Sequence, residues 1–96
     1  MDNRLIITAS ISEAKPLRYT PAGLPALDFR LEHASRATEA GQEREVKAEI
    51  RAVAIGALAD RLAGHEIGSL WRFTGFIATP RNGRSVVFHV QDFQQI

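Results

Sequence analysis

The chain predicts an all-β domain with one short helix. Apolar residues alternate with polar ones over five separate stretches, the period of a strand with one buried face. Pro and Gly gather mainly between those stretches. Only one segment, about residues 55–63, places apolar residues at helical spacing.

In the first strand, about residues 4–13, Leu5, Ile7, Ala9 and Ile11 alternate with Arg4, Thr8, Ser10 and Ser12. A stiff loop follows, because Pro16, Pro21 and Pro25 each fix a backbone angle and Gly23 supplies conformations that other residues resist. Lys15, Arg18 and Tyr19 are displayed on it. The second strand, about residues 26–35, sets Leu27, Phe29 and Leu31 against Asp28, Arg30 and Glu32. Arg36 to Gln42 reads as a polar connection. A long third strand sets Val46, Ala48, Ile50, Ala52 and Ala54 against Glu45, Lys47, Glu49 and Arg51. In the helix, Leu58, Ala59 and Leu62 share a face, and Gly64 stands where a left-handed C-terminal cap belongs. The fourth strand runs from Leu70 to Thr79 and the fifth from Val86 to Phe93. Between them, Asn82-Gly83 is a strong hairpin signal, with Arg81 and Arg84 at its tip. Periodicity alone also permits an SH3-like barrel or an open α+β sheet. The helix between strands 3 and 4 selects a five-stranded OB-fold barrel.

The last two strands carry more apolar residues than one buried face uses. Trp71, Phe73 and Ile77 lie opposite Leu70 and Phe76, and Val86, Phe88 and Val90 lie opposite Val87 and Phe93. The second set needs a cover, either another subunit or stacked bases. A short chain has few spare residues for covering, so self-association is expected.

Ninety-six residues make one domain, 1–96, with a single core. The absence of Cys excludes disulfides, zinc ribbons and thiol catalysis. His33, His65 and His89 have no zinc-ligand spacing, so no metal is expected. There is no nucleophile elbow, no phosphate-binding glycine loop and no dinucleotide fingerprint, so neither cofactor nor catalysis is expected. Glu43, Glu45 and Glu49 are spaced as solvated positions beside Lys47 and Arg51, not as a catalytic set. With no signal-peptide pattern and no apolar run of membrane-spanning length, a cytoplasmic protein is expected by default.

The net charge of +1 does not by itself flag a nucleic-acid binder, yet the basic residues are ten Arg against two Lys. Arginine grips phosphate with a fork and stacks on bases. The candidates sit at loops and strand ends: Lys15, Arg18 and Tyr19 in the first loop, Arg44, Lys47 and Arg51 on the third strand, and Arg81 and Arg84 in the last hairpin. Tyr19, Phe76 or Phe88 would offer flat faces to bases. Each residue alone also fits an ordinary exposed position, but together they point towards single-stranded nucleic acid.

The sequence resembles the primosomal replication protein N (PriB) family, relatives of bacterial single-stranded DNA-binding proteins. The shared residues are Asn3-Arg4-Leu5, Pro16-Leu17-Arg18, Pro21, Gly23 and Pro25, then Phe29, Leu31-Glu32-His33 and Ser35. Ala40-Gly41, Arg44, Gly75-Phe76-Ile77, Asn82-Gly83 and His89 complete them. The resemblance implies a non-catalytic OB-fold homodimer that binds single-stranded DNA in replication restart. It also implies bridging of the primosomal helicase (PriA) to a loading protein (DnaT). Carried over by position, it supports Arg44, Arg81 and Arg84, and Lys15 or Arg18. Better-known members carry aromatic residues where this chain has Gln42 and Lys47, and their last hairpin is longer and richer in lysine. An alternative from another class is an adaptor dimer that recruits the helicase and holds DNA only weakly.

Overall fold

The structure, a computed structural model, describes residues 1–96. In chain order it contains β1 (Leu5–Ala14), β2 (Arg18–Tyr19), β3 (Pro25–Glu39), β4 (Gln42–Ile55), α1 (Ala57–Ala63), β5 (Leu70–Ala78) and β6 (Val87–Gln95). The neighbours run β1-β5-β6-β4-β3-β2, and β1 also pairs with β3, so five long strands close on themselves. This is the expected barrel. The two-residue β2 shifts the numbering, so α1 follows β4, the third of the long strands but the fourth in chain order. No helix is long and apolar enough to cross a membrane.

Closure depends on two irregularities. β1 pairs with β5 through Leu5–Ser10 and with β3 through Ser10–Ala14, and its register slips between Ile11 and Glu13. A bulge there bends the strand from one neighbour to the other. β6 carries a second slip: Thr74 faces Asp92, whereas Gly75 faces Val90, leaving Gln91 unpaired. The extra residue reverses the alternation, so Val90 and Phe93 are both buried, at 5% and 6% exposure. The sequence reading placed Phe93 opposite Phe88 and Val90, and the bulge corrects that. Phe93 lies with Phe73, their ring centroids 6.4 Å apart, inside the barrel.

The interior is apolar throughout. Phe73, Phe88, Ile11, Leu27, Leu31 and Leu62 are its largest fully buried side chains, and no polar or charged residue is buried. α1 covers one end through Ala59 and Leu62. The expected left-handed cap is absent: Gly64 has φ −87°, in the right-handed region. Instead the helix is entered through Gly56 at φ 88°. Its exit loop returns through Gly68 at φ 90°, whose N–H donates to the Ile11 carbonyl at 2.7 Å.

The β3–β4 hairpin departs most from the expected outline. Residues 36–42 were read as a connection, yet pairing is unbroken from Ala26↔Ile55 to Glu39↔Gln42. The turn is only Ala40-Gly41, at φ 53° and 76°, the double left-handed conformation of a type I′ hairpin. Residues 34–45 are all exposed, so this ribbon projects from the barrel and the molecule measures 49 Å along its longest axis. A strand buried on neither face gives no apolar alternation to read. The Asn82-Gly83 signal meanwhile does not close a two-residue hairpin. β5 and β6 are separated by residues 79–86, within which the Gly83 N–H donates to the Pro80 carbonyl at 3.0 Å.

Gly75 holds the tightest approach of any glycine in the chain, for a Cβ there would run into the backbone carbonyl of His89 and crowd the Phe88 ring. Gly75→Ala is expected to destabilise the protein by about 3 kcal/mol or more, because β6 has no room to retreat from the packed core. Urea unfolding followed by circular dichroism measures this.

Candidate nucleic-acid interface

The outer surface is built by the same alternation as the core. With Phe29 and Leu31 facing inwards, Asp28 and Arg30 of β3 face outwards, as do Arg51 and Val53 of β4. Barrel closure then aligns residues from four strands. Asp28 pairs with Val53, Val53 with His89 across the parallel β4–β6 contact, and His89 with Phe76. The Phe76 and His89 rings stack 4.8 Å apart at an interplanar angle of 7°. The row therefore runs from a carboxylate through the largely buried Val53 to a pair of parallel rings.

A groove of about 410 Å³ opens above the Asp28–Val53–His89 part of this row. Lys15, Arg18, Arg30 and Arg51 line it against Glu13 and Asp28, an excess of two positive charges. Lys15 is placed there by its backbone, whose N–H donates to the Asp28 carbonyl at 2.9 Å. β2 holds Arg18 beside Ala26, and its guanidinium grips Asp28 with two hydrogen bonds of 2.6 and 3.2 Å. Arg51 lies directly opposite Arg30. Arg30 turns to Glu49 at 2.5 Å and approaches Glu13 at 3.8 Å, whereas Arg51 has no carboxylate partner within 4.0 Å.

Of the eight residues singled out from the sequence, the groove thus gathers Lys15, Arg18 and Arg51. Arg81 and Arg84 are exposed in the β5–β6 loop, whose Pro80 forms part of the groove wall. Tyr19 is 67% exposed at the end of β2 and is not among the groove's lining residues. Arg44 and Lys47 lie out on the ribbon, where Arg44 is ion-paired with Glu39 and Lys47 faces Ala34 across the hairpin. Phe88 cannot receive a base, for it is wholly buried.

Asp28 and Arg30 were read only as the polar side of a strand, and their part in the groove was missed. The signal was available in their register against Val53 and Arg51, which sequence alternation does not supply. The stack of Phe76 on His89 was equally hidden, since it depends on β5–β6 register beyond the Gln91 bulge. No group of three His, Asp or Glu side chains is placed to hold a metal ion.

The Arg18 hydrogen bonds hold the Asp28 carboxyl below the usual carboxylate range. Partial burial opposes them, while the charges of Arg18, Lys15 and Arg51 assist. A carboxylate with a depressed folded-state pKa stabilises the fold at pH values above its unfolded pKa of about 3.9. That contribution is lost as the pH falls through the lower, folded value.

A family model described as another single-strand binding protein family matches residues 3–92. Replication restart protein PriB of Bordetella pertussis is 41% identical over 95 residues, covering 98% of this chain and 89% of that protein. Replication restart protein PriB of Nitrosomonas europaea is 40% identical over 91 residues, covering 94% and 84%. Among solved structures, the PriB protein of Ralstonia solanacearum superimposes with a TM-score of 0.90 at 33% identity, covering 98% of this chain and 97% of that one. The single-stranded DNA-binding protein of Thermus aquaticus gives 0.76 at 25% identity, covering 96% of this chain and 49% of its own.

If Arg18 is the main cause of the low Asp28 pKa, Arg18→Ala will move it upwards, towards or beyond the ordinary value of about 3.9. Carboxyl ¹³C chemical shifts followed through an acid titration measure the change. An unmoved midpoint would assign the depression to Lys15 and Arg51.

Proposed function

Since the chain belongs to the single-strand binding protein family, on the branch of the replication restart proteins PriB, we propose that it binds single-stranded DNA, without catalysis, as an accessory of replication restart in the cytoplasm. The observation that carries this reading is the groove, where Lys15, Arg18 and Arg51 are gathered with His89, whose ring stacks on Phe76. Phosphates need positive charge spaced along a channel, and bases need flat faces beside it. The ring pair also offers stacking that Gln42 and Lys47 cannot, so bases lie on the barrel wall and not on the ribbon. Arg81 and Arg84 extend the basic track over the loop beside Pro80.

A homodimer belongs to the same reading. Ile6 and Leu70, on neighbouring strands β1 and β5, are 53% and 57% exposed, and Ile77 further along β5 is 41% exposed. Ile6 and Leu70 share the outer face of the sheet, and a covering subunit would remove them from water. Bridging of the primosomal helicase (PriA) to the loading protein (DnaT) follows from the family resemblance. One observation favours the adaptor alternative: on the ribbon, Arg36 pairs with Glu43 at 2.9 Å and Arg44 with Glu39. A self-neutralised arm suits a protein partner better than a phosphate backbone.

Fluorescence anisotropy of a labelled oligothymidylate across a salt series tests the DNA reading. Affinity should fall steeply with salt, and a Lys15→Ala/Arg51→Ala double substitution should reduce the magnitude of the log–log slope by about 1.4, or about 0.7 per lost phosphate contact. Unchanged affinity in the double variant would turn the reading towards the adaptor.

Sedimentation equilibrium tests the dimer. A particle of twice the 10.6 kDa chain mass is expected at micromolar concentration, and a strictly monomeric species would remove that part of the proposal.

A further inference from the structure

Arg18 brings a guanidinium fork to the groove, yet its Nε–Nη2 edge is already held by the two oxygens of Asp28. The pair is accessible: the Arg18 and Asp28 side chains are 51% and 36% exposed. No other group of the fold needs Asp28 as its partner, since its backbone carbonyl, and not its carboxylate, holds Lys15. A carboxylate and a phosphodiester offer the same fork-shaped acceptor to a guanidinium, so the two compete for one donor set.

We propose that Asp28 is an intramolecular competitor of the nucleic-acid phosphate: a strand entering the groove takes the Nε–Nη2 edge of Arg18 only by displacing the Asp28 carboxylate. Asp28 thereby sets how tightly the groove holds a phosphodiester. When the phosphate takes Arg18, the released carboxylate stays beside Lys15 and Arg51, which line the same groove. Those two residues therefore offset part of the cost of displacement. Arg30 does not join the exchange in the same way, because its carboxylate partners Glu49 and Glu13 approach from two sides.

This inference rests on the DNA-binding reading, and its test separates the two. The protein is titrated with labelled oligothymidylate as wild type, Asp28→Asn, Arg18→Ala, the double variant, and Glu66→Gln, which removes the same charge from the loop beyond α1. Asp28→Asn should tighten binding at low salt by about twofold to fivefold, the scale of an exposed ion pair. It should also steepen the salt slope by about 0.7, because no released carboxylate then takes up a cation as the strand binds. Glu66→Gln should do neither, and Asp28→Asn should not steepen the slope when Arg18 is already Ala. In the wild type, saturation with oligothymidylate should raise the Asp28 carboxyl pKa seen by ¹³C NMR, which a purely structural pair would not show. Weaker binding by Asp28→Asn would overturn the inference, since Asp28 would then be orienting Arg18 for the strand. So would a gain no larger than that of Glu66→Gln. Failure of every variant, wild type included, to bind at low salt would instead remove the DNA-binding reading itself.

Discussion

The close passage of β6 over β5 at Gly75 is the contact on which the rest of the molecule depends. Without a side chain at Gly75, the β6 backbone lies directly against β5, and the Gln91 bulge then rotates the end of β6 so that Phe93 joins Phe73 in the core. The same geometry carries β6 to β4, where Ala52↔Phe88 and Val53↔His89 close the barrel in parallel. Had β6 kept a regular register, Phe93 would face outwards and the interior would lose one of its large rings. The row that runs under the groove and on to the ring stack is a by-product of that closure, since Val53, His89 and Phe76 meet only because these three strands do.

The outer surface is governed by a different balance. Five ion pairs join arginine to carboxylate, and all of them involve β3 or β4 or the hairpin they form. Most are diagonal pairs between neighbouring strands, the arrangement in which long side chains reach each other across a sheet. Each adds little to stability, because both partners remain at least partly in water. Their larger effect is on recognition. Ten arginines in the sequence overstate the positive charge available to a ligand, because Arg18, Arg30, Arg36 and Arg44 are already engaged. Lys15 and Arg51, each without an ion-pair partner, count for more than their number.

How much of this was legible in the sequence follows from what generates periodicity. Strands with one face in the core announce themselves, and the barrel, the position of the helix after the third long strand and the inward residues Phe29, Leu31 and Phe73 were all readable. Features that depend on two strands at once were not. The Gln91 bulge changes a phase that a single strand cannot reveal, and it misplaced Phe93. The ribbon was mistaken for a loop because exposure on both faces leaves no alternation. Asn82-Gly83 looked like the tight turn, whereas Ala40-Gly41 makes it, with Ala40 bearing about 1–2 kcal/mol for its left-handed backbone. Among the groove residues, charge type had singled out Lys15, Arg18 and Arg51, but only the folded structure brings them together around Asp28.

The projecting β3–β4 ribbon has a consequence for how the molecule can change over evolutionary time. Its outer part shares hydrogen bonds between two strands and buries nothing in the core, so its sequence is not bound by the volume constraints that govern Phe73 or Phe88. Substitutions there reach the barrel only through the strand ends. The arm can also fray and re-form while the barrel stays folded, as a local opening of low free energy. The arm is accordingly free to exchange its ion pairs for another chemistry while the barrel keeps its packing. Sequence change is then least costly in the part that contributes least to holding the molecule together.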